Sequence, residues 1–295
     1  MKIKASADTI TLNAIGYVVL GFFGLMCILP FIMLLSGSLT DEGTIITQGY
    51  SLIPSKFSLF AYQAAFALPR LIINSYIVTI SVTAVGSVLS LFLITMTAYV
   101  ISRKDFPARN VITLFFYFTT LFSGGLISYY VIMVNYYHLK DSLLALIIPQ
   151  LVNVFYMLMM RNFITQSVHE ALVESARIDG AGDFRIFRCI VLPILTPALA
   201  SIGLFIALGY WNDWYNAMLF LKSDKLYPLQ YVLYRIITTA QNWDLIASEE
   251  QSKIKIPKES VKLAMTVIAT GPIIFAYPFV QKYFVKGIIL GAVKG

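Results

Sequence analysis

The side chains able to do chemical work in this 295-residue chain gather in two places. Between Arg161 and Pro193 lie Arg161, Glu170, Glu174, Arg177, Asp179, Asp183, Arg185 and Arg188, in a sequence that is only 13% charged. Glu170, Glu174 and Arg177 recur at i, i+4 and i+7, which aligns them on one helical stripe, while Ala171, Ser175 and Ile178 form another. Such a stripe is either a plain solvated face or the charged side of a docking helix. The second place is Trp211-Asn212-Asp213-Trp214-Tyr215-Asn216. It combines aromatic faces with amide and carboxylate groups, the side chains that stack on and hydrogen-bond sugar rings. An interfacial aromatic belt uses Trp and Tyr equally well, but an ionisable group inside an apolar span usually faces a cavity, and Asp213 favours a pathway. His138 and His169 are isolated and lack partners at metal spacing, so no metal site is expected. No G-x-x-x-x-G-K-[ST] phosphate loop, Ser-His-Asp set or Cys-His pair is present, so the chain is read as non-catalytic.

The elements that hold these residues must live mostly in lipid. The chain is 58% hydrophobic with a mean hydropathy of +0.77, against roughly 25% charged residues in an ordinary soluble domain. The formal charge of +7 contains no basic run longer than two residues, which argues for membrane topology rather than nucleic-acid binding. Uncharged intervals, the fifth continued through Asp213, place six helical spans at about 12–37, 72–101, 111–136, 142–160, 193–221 and 263–281, each long enough for the 17 to 25 residues a crossing needs. Strands of alternating polarity are absent, so an all-α membrane protein with a single transmembrane domain over 1–295 is expected rather than a barrel. Lys2, Lys4, Arg103, Lys104, Arg109, Arg161, Arg177, Arg185, Arg188, Lys282, Lys286 and Lys294 fall on one side, against Lys56, Arg70 and Lys140 on the other once the long 222–262 loop is set aside. The positive-inside rule then makes both termini cytoplasmic. The first apolar stretch, Ala14 to Leu35, outlasts a signal h-region and is read as a retained span. Cys27 and Cys189 are expected as free thiols.

Between the fourth and fifth spans, 167–192 reads as helix, turn and helix. Ser167-Val168-His169-Glu170 has the form of a capping box, which starts a helix near Val168. Gly180 supplies a left-handed stop, Asp183 is placed to cap a second helix from Phe184 to about Val191, and Pro193 ends it. Outside, Leu229, Val232, Leu233, Ile236 and Ile237 after Pro228 predict a short amphipathic helix.

Glu174, Ala176, Gly180, Ile190, Leu192 and Pro193 match the string E-x-A, three residues, G, nine residues, I-x-L-P, and on it the chain resembles permease subunits of bacterial ATP-binding-cassette importers. Asn74-Ser75, Ala98-Tyr99, Arg103, Ser123-Gly124-Gly125, Met160-Arg161-Asn162, Tyr210 to Trp214, Tyr227 to Gln230 and Gly291 to Gly295 look like the maltose-type carbohydrate permeases. The nearer likeness is to the smaller permease of systems for complex saccharides such as alginate, oligogalacturonides and lipo-oligosaccharides. Ser175 replaces the middle Ala of the family motif and keeps a small side chain.

The resemblance implies a type I importer permease fold of six helices, in which a coupling helix docks on an ATPase subunit. It assigns the coupling role to Glu170, Glu174, Ala176, Arg177, Asp179, Gly180, Ile190, Leu192 and Pro193, with a tail contact through Lys294 and Gly295. Trp211, Asn212, Asp213, Trp214 and Asn216 become the candidate substrate pathway. The chain itself binds no cofactor, ATP and Mg being held by the partner ATPase. The implied partners are a larger permease subunit, a dimer of ATPase subunits, an extracytoplasmic solute-binding protein, an oligosaccharide and the lipid of the bacterial inner membrane. An ion-coupled transporter would need paired mid-membrane coupling sites, and Asp213 has no counterpart in the first half.

Overall fold

A segment immersed in hydrocarbon has to satisfy its own backbone N–H and C=O groups, and a helix does so within one stretch of chain. The computed structural model describes residues 7–66, 69–246 and 258–292. Among the described residues the regular elements are helical, with one isolated bridge between Thr40 and Phe57. The order is α1 (Ala7–Ser38), α2 (Glu42–Gln48), α3 (Phe60–Ala65), α4 (Pro69–Ser102), α5 (Arg109–Leu121), α6 (Gly125–Val131), α7 (Leu144–Ile147) and α8 (Val154–Ser167). There follow α9 (Glu170–Ile178), α10 (Asp183–Ile186), α11 (Leu192–Ile194), α12 (Thr196–Trp211), α13 (Tyr215–Phe220), α14 (Leu229–Ile246) and α15 (Glu259–Ala292). Wider π turns occupy Ile132–Tyr136 and Phe187–Val191.

Two described helical stretches, Thr11–Ser38 and Pro69–Ser102, are each long and apolar enough to cross a membrane. Three bent pairs bring the number to as many as five: Arg109–Leu121 with Gly125–Tyr136 at 116°, Leu144–Gln150 with Val154–Ser167 at 49°, and Asp183–Ile194 with Thr196–Phe220 at 82°. The expected spans 111–136, 142–160 and 193–221 are therefore interrupted, and each interruption has a local cause. Gly125 sits at φ +78°, a conformation that suits a residue without a Cβ. Asn153 is extended and its Oδ1 accepts from the Tyr156 N–H at 3.3 Å, capping a fresh start for α8. Pro197 has no N–H for the Pro193 carbonyl, which instead accepts from the Thr196 hydroxyl at 2.8 Å. The sixth expected interval, 263–281, falls inside the 34-residue α15, which carries Pro272 and Pro278.

The chain divides into two compact units, 1–68 with 235–271 and 69–234 with 272–295. In the first, the apolar length of α1 is unburied, and its polar end is fixed instead. The Ser38 hydroxyl lies 2.9 Å from the Tyr62 hydroxyl, and Thr40 Oγ1 donates to the Ser36 carbonyl at 2.7 Å. The Glu42 carboxylate accepts from the Lys258, Glu259 and Ser260 N–H groups at 2.8, 2.9 and 2.8 Å. A carboxylate there meets both the orphan donors and the positive end of the α15 dipole. Tyr50 donates to Glu259 Oε2 at 2.7 Å, and its phenol is pushed up to about 12, first by that bond to a carboxylate and then by burial.

In the second unit α4 is the central element, packed on α8 and α12. Its buried face runs Ser75, Thr79, Val82, Gly86, Ser90, Ile94 and Ala98, mostly small side chains at helical spacing. Small residues let helix backbones approach where lipid removes the usual hydrophobic advantage of large ones. Gly86 shows the consequence. A Cβ built there falls 2.6 Å from Cζ of Tyr210, a buried ring whose hydroxyl donates to the Ile147 carbonyl at 3.0 Å. The ring cannot retreat without breaking that bond. Gly86→Ala should therefore lower the melting midpoint of the detergent-extracted chain by an amount equivalent to about 1–3 kcal/mol, the usual overpacking cost. Gly24→Ala, whose Cβ meets nothing within 4 Å, should leave it unchanged in the same thermal-shift measurement.

Candidate functional site

Within the segment singled out by its charge, α9 is the exposed part, while Ile186, Phe187 and Val191 beyond it are buried. None of the nine residues of α9 is buried, and Leu172, Ile178 and Phe184 are exposed at 49%, 88% and 62%. Its ending is a Schellman motif: Gly180 at φ +78° donates to the Arg177 carbonyl at 2.9 Å, and Ala181 donates to the Ala176 carbonyl at 2.9 Å. The left-handed stop expected at Gly180 is thus present.

Two other expectations are corrected. Ser167 does not open a helix but closes α8. Val168 and His169 are extended, and α9 begins at Glu170 with no side-chain cap. The Glu170 carboxylate, which the capping box needed, is drawn 2.6 Å from Nζ of Lys104 instead. Asp183 is not the cap of the second helix either. Gly182 holds that position, and Asp183 is the first helical residue, with its carboxylate committed to arginines. The expected helix ending before Pro193 runs on through the π turn Phe187–Val191 into α11. Pro193 has no N–H for the Cys189 carbonyl, and the wider turn precedes it.

The arginines form the geometric core of this region. Arg103, just beyond α4, lies 2.6 Å from Asp105 and 2.7 Å from Asp183, and Arg177 of α9 lies 2.9 Å from Asp105 and 3.4 Å from Asp183. Two cations and two anions thus alternate around a closed ring that joins the end of α4, the turn after it, α9 and α10. The Arg103 guanidinium also sits 5.9 Å from the ring centroid of Tyr99. Hydrogen bonds from Arg103, and secondarily from Arg177, hold the Asp105 carboxyl well below the usual carboxylate range, and those from Asp105 and Asp183 hold Arg103 above its ordinary value. A single exposed pair is worth about 0.2–1 kcal/mol, so the ring acts through closure rather than through any one contact. Asp105 went unnoticed in the sequence, where a lone acid in a loop carries no signal of its partners. Glu174 and Asp179 are exposed and outside the ring. Ala176, Ile190 and Leu192 are half-buried, and Pro193 is exposed. Lys294 and Gly295 lie outside the described residues. Cys27 and Cys189 are free and exposed, as expected.

The second candidate site occupies the break between α12 and α13. Asp213 accepts from Gln150 Nε2 at 2.7 Å, from the Asn216 N–H at 3.0 Å and from Asn216 Nδ2 at 2.8 Å, and Tyr129 donates to Asn216 Oδ1 at 2.7 Å. The knot draws three bent helical pairs together: α6, the turn after α7, and the α12–α13 break. Asp141 pins the far end of α13, its Oδ1 accepting from the Lys222 and Ser223 N–H groups at 2.8 and 2.9 Å. Of the aromatic and amide residues named with Asp213, Trp211 and Asn216 are buried, each 9% exposed. Asn212 and Trp214 are open to solvent. Asn212 accepts from Gln230 Nε2 at 3.1 Å, and Trp214 stacks on Tyr234 with centroids 4.3 Å apart. The arrangement offers an exposed amide and indole edge beside a half-buried carboxylate, and among the described residues no nucleophile beside a base.

Residues 91–290 match the family described as the binding-protein-dependent transport system inner membrane component. The chain is 39% identical over 273 residues to the polygalacturonan/rhamnogalacturonan transport system permease protein YtcP of Bacillus subtilis (strain 168), covering 92% of this chain and 94% of that protein. Protein LplC of the same organism is 37% identical over 276 residues, covering 94% and 92%. Among solved structures, a chain of a bacterial ABC transporter involved in the import of the acidic polysaccharide alginate is similar at a TM-score of 0.80 and 31% identity, over 96% of this chain and 100% of that one.

The ring carries a pH-dependent expectation. A carboxyl whose folded value is depressed contributes stability above its unfolded pKa, near 4 for Asp, and loses it as pH falls through the lower folded value. Asp105→Asn should raise amide hydrogen exchange across residues 170–186 at pH 7. Wild type and variant, each corrected for intrinsic rates, should begin to draw together as pH falls below about 4 and should converge only once pH has passed below the depressed folded value of Asp105.

Proposed function

The chain belongs to the family of binding-protein-dependent transport system inner membrane components, and from that premise we propose that it is the smaller permease of an ATP-driven importer of oligosaccharides or polysaccharide fragments. In this reading it crosses the bacterial inner membrane six times, with both termini in the cytoplasm and α15 as the last span. A larger permease completes the pore, an extracytoplasmic binding protein delivers the saccharide, and a dimer of separate ATPase subunits holds ATP and Mg. The substrate class rests on relatives that are named for polygalacturonan, rhamnogalacturonan and alginate.

The observation that carries the proposal is the exposure of α9. A nine-residue helix with no fully buried side chain gains little from the body of its own chain, yet it is held in place by the ring at one end and by the Lys104–Glu170 pair at the other. Such a helix is built to be covered by another protein. We assign that cover to the ATPase, contacted by Glu170, Glu174, Ala176, Arg177, Asp179 and the Gly180 turn. Ile190, Leu192 and Pro193 carry its movement into α12, and Lys294 and Gly295 add a second contact. When the ATPase dimer closes, the ring makes α9, α10 and the end of α4 move together, and the 82° bend turns that movement onto the α12 side of the chain. There Asn212 and Trp214 present the amide and indole that a passing sugar meets, while Asp213, Asn216 and Trp211 keep that edge in position.

Gly180 tests the proposal. Its Cβ position is open, with nothing within 4 Å, so the obstacle to substitution is backbone conformation alone. A left-handed residue with a Cβ is penalised by about 1–2 kcal/mol, and a β-branched one by more. Gly180→Val should leave the chain inserted but reduce co-purification of the ATPase and saccharide uptake by about tenfold or more. Gly180→Asn, which tolerates the left-handed region, should retain most of both. Full uptake by the valine variant, or ATP hydrolysis by the pure chain alone, would contradict the assignment.

A further inference from the structure

Away from both sites, a groove of about 460 Å³ runs between α5 and α8. Asn110, Thr113 and Tyr117 line it from α5, at a spacing that sets them on one helical face, and Leu158, Arg161 and Asn162 line it from α8. Arg161 is held at one edge by donating Nε to the Ile101 carbonyl at 3.3 Å. Its two terminal nitrogens, the Asn110 and Asn162 amides and the Tyr117 hydroxyl have no partner among the described residues. No acidic side chain lines the groove. The nearby acids Asp105 and Glu170 are already engaged, with Arg103 and Arg177 and with Lys104. A cluster of free donors with an uncompensated guanidinium calls for an anion with several acceptor oxygens.

The surroundings decide what kind. Leu114 lines the groove from α5, and beside it α5 presents Val111 and Phe118 and α8 presents Phe155 and Met159, all exposed apolar side chains. One end of the groove lies at the first turn of α5, next to the polar 103–109 turn, and its other wall is the middle of α8, so polar and apolar surface meet along it. An occupant must therefore join a polar anionic head to an apolar remainder. We propose that this groove binds the phosphate diester of an anionic phospholipid, with Arg161 forking the phosphate oxygens and the acyl chains lying on the α5 and α8 faces. A hydrated saccharide would leave those apolar faces uncovered. A zwitterionic headgroup would bring an ammonium to a site that holds no carboxylate.

The test uses the complete transporter, with both permeases and the ATPase, exchanged into mixed phosphatidylglycerol and phosphatidylcholine vesicles, then extracted and examined by native mass spectrometry. Wild type should retain phosphatidylglycerol over phosphatidylcholine by about tenfold, and Arg161→Gln should lose that preference. Arg161→Lys, which keeps the charge, should retain part of it. Thr113→Phe, which fills the groove while leaving Arg161 in place, should also lose it, so a folding defect in one variant does not decide the result. Equal retention by all forms would overturn the proposal. So would displacement of the lipid by millimolar inorganic phosphate or by an oligouronate, or efficient cross-linking of a Thr113→Cys chain to the partner permease, which would show the groove filled by protein.

Discussion

Four charged side chains brought together from three parts of the sequence fix the geometry on which the proposed transport role depends. Arg103, Asp105, Arg177 and Asp183 close a ring at the end of α4, and α9 has no buried contact to hold it there otherwise. The ring is partly exposed, so its strength is modest and sensitive to salt and acid. Its value is geometric: bidentate and bridging arginines fix orientation as well as distance. Opening it would leave α9 tied to the end of α4 only through the exposed Lys104–Glu170 pair.

The lipid sets the second constraint. Hydrocarbon offers a polar side chain no water to bond, so a charge that enters an apolar stretch needs partners from the protein. Asp213 is the clearest case, with both oxygens occupied by Gln150 and Asn216 and with Tyr129 completing the set. Three of the apolar stretches are broken, and this knot lies where they meet. Breaks cost backbone hydrogen bonds in hydrocarbon, and they are tolerated where side chains replace those bonds or where the chain borders a wet cavity. The knot supplies the first condition, and the exposed Asn212 and Trp214 beside it fit the second. The same carboxylate that orders the break can thus hold the edge proposed to meet sugar.

Much of this could be read in the chain because lipid makes composition informative. The first two uncharged intervals fall on α1 and α4, whereas 142–160 and 263–281 stop well short of the ends of α8 and α15, and Gly180 announces its turn because few other residues accept φ +78°. Failures arose where a local signal competed with a distant partner. The Ser167–Glu170 capping box is a valid four-residue pattern, but Lys104 lies 66 residues away and takes the glutamate. Asp183 likewise left its capping role for Arg103 and Arg177. Asp213 stood out as a charge inside an apolar run, yet Gln150 and Tyr129, its direct and indirect partners, have no pattern that links them to it. Breaks at Gly125 and Asn153 carried turn-forming residues, but hydropathy averaged over a span conceals a short interruption.

The most direct test of the account is whether α9 moves as one body with the end of α4. Spin labels at residue 175 on α9 and at residue 100 in the last turn of α4 would report the distance between them in the assembled transporter, with and without trapped nucleotide. The account predicts one narrow distribution common to both states, and a broadened one with reduced ATP-driven uptake when Asp105→Asn and Asp183→Asn are combined. A wild-type distance that shifts on nucleotide trapping, or a double variant that keeps both the narrow distribution and full uptake, would contradict it.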